Sequence, residues 1–104
     1  MQNSFEKAFN EIVNATLNEI FSETATKIIY HHLELNYKLK PEEVATNIDT
    51  FKKGLETFLS SGALVVENVI IKRLYMHFKL KFQEKEGYAF TDYLQELKQR
   101  VKSS

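Results

Sequence analysis

Apolar residues recur along this chain at the spacing of a helix face. Phe5, Ala8, Phe9, Ile12, Val13, Thr16, Leu17 and Ile20 follow the i, i+3, i+4, i+7 pattern of one buried stripe. The pattern predicts a first helix over 5–20, with Ser4 as its N-cap and Glu6 in the first turn. Ser22 is placed to cap a second helix over 23–37. Its apolar face is read as Ala25, Ile28, Ile29, Leu33 and Leu35, with His32 at the centre and Asn36 near it. Lys27, His31, Glu34 and Lys38 point the other way.

Pro41 with Glu42 and Glu43 suits the first turn of a short helix. Asn47 or Asp49 then caps a helix to about Leu59 that buries Ile48, Phe51, Leu55, Phe58 and Leu59. Gly62 is expected at a helix C-terminus, where φ is often positive. A helix from Ala63 to Phe78 follows after a short joint. Positions 79–89 read as irregular, with Leu80 and Phe82 alternating with lysines and Gly87 marking a turn. The last helix, about 90–101, shows a face of Phe90, Tyr93, Leu94, Leu97 and Val101. The expected fold is all-α: one domain, a compact bundle of five to six helices, with the Ala63–Phe78 helix central.

Glu67 breaks the pattern. It falls on the face formed by Ala63, Ile70, Ile71, Leu74 and Phe78, the most apolar part of the sequence. A buried carboxylate needs a partner or a proton. His32 is the other ionisable group centred on an apolar face. The two are therefore expected to meet as a buried polar pair that specifies how their helices dock, or that grips a ligand or senses pH. Lys27, Lys53, Arg73 and the tyrosines are the fallback partners for Glu67.

Composition narrows the function. A chain of 104 residues, 43% hydrophobic, builds one core. No cysteine is present, which removes disulfides, zinc–thiolate sites and thiol catalysis and suits a reducing cytoplasmic setting. Basic and acidic residues number 14 each, without the basic excess of a dedicated nucleic-acid binder. No apolar run approaches the roughly 18 residues of a membrane span, and the amphipathic N-terminus with Glu6 and Glu11 is unlike a signal peptide. No phosphate loop, HExxH or GxSxG occurs, so no catalytic, cofactor or metal site is expected. His31 and Glu34 make at most half a metal site, and His77 reads as a packed histidine. The segment 72–82 is basic with interleaved aromatics. Lys72, Arg73, Lys79 and Lys81 are the candidate basic surface for a nucleic-acid backbone.

One resemblance runs through the chain. The string Ile29-Tyr30-His31-His32-Leu33-Glu34 is followed by Tyr37-Lys38-Leu39 and Pro41-Glu42-Glu43. Phe51, Leu55, Ser61-Gly62-Ala63, Glu67 and Ile70-Ile71-Lys72-Arg73-Leu74-Tyr75 come next, and Gly87-Tyr88-Ala89-Phe90-Thr91-Asp92-Tyr93 closes the order. This resembles the small archaeal helical family called the Nitrosopumilus output domain. The matched part is about 23–93, leaving an extra N-terminal helix, 1–21, outside it. The resemblance implies an archaeal cytoplasmic module that acts through a protein partner, as a stand-alone protein or at the end of signalling chains. It brings no established catalytic residue, and its equivalents of His32, Gly62 and Glu67 fall on positions already singled out. The leading expectation is a non-enzymatic interaction or signalling-output module, self-associating through the first helix. The alternatives are a nucleic-acid-binding regulator using 72–82, and a small-ligand sensor built on His32 and Glu67.

Overall fold

A computed structural model describes residues 4–103. Five α-helices and one 3-10 helix account for the regular structure, with no strand among the described residues. They are α1 (Ser4–Phe21), α2 (Glu23–Tyr37), the 3-10 helix (Pro41–Thr46), α3 (Ile48–Leu59), α4 (Gly62–His77) and α5 (Phe90–Ser103). Helices α1 to α4 stand at the corners of a square: α1 packs on α2 and α4, and α3 packs on α2 and α4. This leaves α2 and α4 diagonally opposed. Helix α5 lies against α4 and α3, and the 3-10 helix against α1 and α3.

The ends of the elements follow from local chemistry. Ser22 alone separates α1 from α2. Its Oγ accepts from the Ala25 amide at 3.2 Å, the capping bond expected of it. Its φ of 107° with ψ of 161° lies where glycine is at home and serine is strained. Helix α2 stops where Lys38 turns left-handed and the Leu39 amide reaches back to the Leu33 carbonyl at 3.3 Å. Lys79 and Leu80 end α4 in the same way, with Leu80 donating to the Tyr75 carbonyl at 2.9 Å. The joint between α3 and α4 corrects one expectation. The positive φ belongs to Ser60, whereas Gly62 is the first residue of α4. Two capping expectations also change: Ser4 lies inside α1, and Asn47 precedes α3 but turns its amide to the Glu43 carbonyl.

The core is a single cluster to which every element contributes. Phe9 is its hub, within 6.0–6.4 Å of the rings of Phe5, Phe51 and Phe90. Each such buried ring contributes about 1.5–3 kcal/mol through apolar burial. Helix α1 is therefore integral to the core. Phe5, Ala8, Phe9, Val13, Thr16 and Leu17 are all buried within the same chain. Ile20, at the far end of the same stripe, is 41% exposed. Asn10 fastens α1 to the 3-10 helix by accepting from the Ala45 amide at 3.0 Å and donating to the Glu42 carbonyl at 3.2 Å.

Helices α2 and α3 approach closely at Gly54. A methyl group there would collide with Leu33 Cδ2 and press on the Tyr37 ring at 3.3 Å. The segment between α4 and α5 is irregular, as expected, yet tied down. The Tyr93 hydroxyl accepts from the Lys85 amide at 2.8 Å and donates to its carbonyl at 3.1 Å. Glu96 takes the Lys85 ammonium at 2.7 Å and the Tyr88 hydroxyl at 2.8 Å.

Candidate functional site

Glu67 is buried as its position on α4 requires, at 3% exposure. Its Oε2 has no hydrogen-bond partner. Burial pushes its carboxyl up to about 7. The charge of Glu56 on α3 adds to the rise, and that of Lys52 opposes it. Lys52 is itself paired with Glu56 at 2.7 Å and acts on Glu67 only through its charge.

His32 does not join Glu67. Its Nδ1 lies 3.0 Å from Asn36 Nδ2, and its Nε2 is buried without a partner. Its ring sits 4.8 Å from that of Phe58 on α3 and 6.0 Å from that of Tyr37. The expected polar pair is thus corrected, and the square explains why. Opposite corners hold α2 and α4, and α3 stands between them with Phe58 turned to His32 and Lys52 and Glu56 acting on Glu67. Periodicity located both groups on apolar faces but could not show which helices share an edge.

Surface hollows lie elsewhere. One of about 380 Å³ is lined by Lys7, Asn10, Glu11, Asn14, Tyr30, Pro41 and Glu42. Another of about 460 Å³ lies between the start of α3 and the outer side of α5. Neither is lined by His32 or Glu67. No three His, Cys, Asp or Glu side chains cluster to hold a metal ion among the described residues. No helix among them is long and apolar enough to cross a membrane.

The candidate basic surface is thinner than its sequence. Arg73 reaches to α1, where it meets Glu19 at 2.9 Å and the buried Thr16 hydroxyl at 3.2 Å. Its role is to hold α4 on α1. Tyr75 is buried, and Phe78 and Phe82 pack on the core. Lys72, Lys79 and Lys81 remain exposed. His77 is exposed as well, contrary to the packed position expected for it.

The surface feature that periodicity missed is on α2. Its buried residues are Thr26, Ile29 and Leu33. Ile28 and Leu35, expected in the same face, are 56% and 71% exposed. At about 100° per residue, Ile28, His32 and Leu35 fall within about 60° of one another, roughly 125° from the buried stripe. Helix α2 therefore has two apolar faces, and only one is covered. Phe58, 41% exposed, extends the outer face through its contact with His32. The signal was present in the seven-residue spacing of Ile28 and Leu35, but Ile29 and Leu33 between them made one broad face the simpler reading.

No family model, curated protein or solved structure matches the chain.

Proposed function

We propose that this chain is a non-enzymatic helical interaction module that docks a protein through the outer apolar face of α2. The observation that carries this reading is the contiguous exposure of Ile28, Leu35 and Phe58 around His32. Water is a poor neighbour for such a stripe, and apolar surface on a helix is what a partner helix or groove takes up. The resemblance to the Nitrosopumilus output domain supports a role at the output end of signalling, in an archaeal cytoplasm.

The test is affinity capture of the tagged chain from native lysate, with and without nuclease, beside Leu35→Lys. Leu35 is exposed, so the variant keeps its fold. A protein recovered with the native chain and lost with Leu35→Lys supports the module. Equal recovery with both chains refutes docking through α2, and recovery that nuclease abolishes replaces it with nucleic-acid binding through Lys72, Lys79 and Lys81.

A further inference from the structure

The joint between α1 and α2 is a single strained residue. Ser22 holds φ 107° and ψ 161°, a conformation that costs any residue other than glycine. The hydrogen bonds on either side of it are already helical. The Ser22 amide donates to the Asn18 carbonyl at 2.9 Å, and the Thr26 amide to the Ser22 carbonyl at 3.0 Å. Each spans four residues, as in an unbroken helix. Neither proline nor glycine occurs in 4–37. With Ser22 at helical angles, the amides of Glu23, Thr24 and Ala25 would meet the carbonyls of Glu19, Ile20 and Phe21. Helices α1 and α2 would then form one rod about 51 Å long.

The burial pattern suits such a rod. Phe5, Ile12, Thr26 and Leu33 lie at multiples of seven residues, and all are buried or half-buried. A second series, four residues on from Phe9 to Tyr37, behaves alike. The register crosses the joint without a shift, and only Glu19 and Glu23, beside the joint, are exposed. A continuous helix therefore turns the covered stripes of α1 and α2 toward the same side. Two antiparallel rods related by a two-fold axis at residue 22 require this of each rod.

We infer that two copies of this chain exchange α1: Ser22 becomes helical, and the α1 of each copy takes the place of the other's in its bundle. The proposal goes beyond docking through α2 and does not rest on it. The contacts of α1 are kept, now between copies. Phe9 meets the partner's Phe51 and the partner's Phe90, and Glu19 and Thr16 take the partner's Arg73. The balance between one-copy and two-copy forms is therefore set at the joint. Relief of Ser22 and three added backbone hydrogen bonds favour exchange. Loss of the covalent link between α1 and its bundle opposes it, as does the gathering of Glu19 and Glu23 of both copies near the axis. A short hinge under strain is the setting in which identical elements are exchanged.

Because α1 is part of the core, exchange passes through unfolding. The assay therefore starts from chain unfolded in urea and refolded at about 10 µM and at about 1 mM. Sedimentation velocity is expected to show monomer at the low concentration and a dimer at the high one. Ser22→Ala removes the Oγ cap and favours the rod, and is expected to lower Kd by about tenfold. Ser22→Gly fits the positive φ and weakens the rod, and is expected to raise Kd by about tenfold. Ser22 is exposed, and far-ultraviolet circular dichroism verifies that both variants fold. Mixed dimers of isotope-labelled and unlabelled copies are expected to give a nuclear Overhauser contact from Phe9 to the partner's Phe51.

A native chain that is monomeric after refolding at about 1 mM overturns the exchange. So does a dimer that lacks the contact from Phe9 to the partner's Phe51, or one that Ser22→Ala and Ser22→Gly leave equally populated. The outer face of α2 is the same in both forms, so capture that depends on Leu35 tests the module reading separately.

Discussion

Replacing Glu67 by glutamine should make the protein more stable at alkaline pH and leave it nearly unchanged at acid pH. The carboxyl titrates at about 7 in the folded chain, against 4.5 in the unfolded one. Between those values the folded state binds a proton that the unfolded state has released. Stability therefore falls as pH rises through this window, and the loss is complete above about 7. The shift corresponds to about 3 kcal/mol. Glutamine has the same shape and no charge to desolvate, so it escapes this cost. Its own amide needs hydrogen bonds, a penalty that is independent of pH. Urea denaturation at fixed ionic strength, repeated from about pH 4.5 to about pH 8.5, reads the difference between the two chains. The expected difference is small at the acid end and grows to about 2–3 kcal/mol in favour of the variant at the alkaline end. Other titrating groups are common to both chains and cancel. Adding Lys52→Met to the native chain should steepen its alkaline loss, since Lys52 is the cation that opposes the rise. A difference between native and Glu67→Gln that stays flat with pH would refute the argument, because it would mean that Glu67 is hydrated when folded.

Three further substitutions test the joints. Gly54→Ala is expected to destabilise by about 1–2 kcal/mol despite the better helix propensity of alanine, because the new methyl meets buried Leu33; a gain in thermal midpoint would show that α2 and α3 can separate at no cost. Ser22→Gly is expected to stabilise by about 1 kcal/mol, since relief of the φ 107° backbone outweighs the few tenths lost with the Oγ cap; chemical denaturation decides the sign. Tyr93→Phe removes both hydrogen bonds to the Lys85 backbone, and trypsin should then cut faster at Lys79, Lys81 and Lys85 while far-ultraviolet circular dichroism stays native. Unchanged cleavage would place the anchor of that segment in Glu96 instead.

Helix existence and type were legible because each stripe has a clear period. Helix α2 over 23–37 and the proline-led turn at 41–46 lie where the sequence places them. Burial of Glu67 was also legible, being fixed by neighbours on its own helix. What periodicity does not contain is which helices share an edge, and the misses that bear on the site have that origin. His32 and Glu67 were paired across a diagonal. Arg73 was read with its sequence neighbours Lys72, Lys79 and Lys81, but its long side chain answers to Glu19 and Thr16 on α1. The close approach at Gly54 left no mark in the sequence beyond a glycine inside a helix. Helix α1 was set apart because the resemblance began after it, although Phe9 had the spacing of a core residue.

That position of Phe9 has a consequence for how the chain is made. Phe90, one of its ring neighbours, leaves the ribosome 81 residues after Phe9. At about 5–20 residues per second, the two are separated by about 4–16 s of synthesis. During that interval the aromatic stripe of α1 has only part of its lining. The nascent chain is then most exposed to chaperones and to aggregation. Slowing translation across the last helix should lower the soluble yield without touching the finished protein.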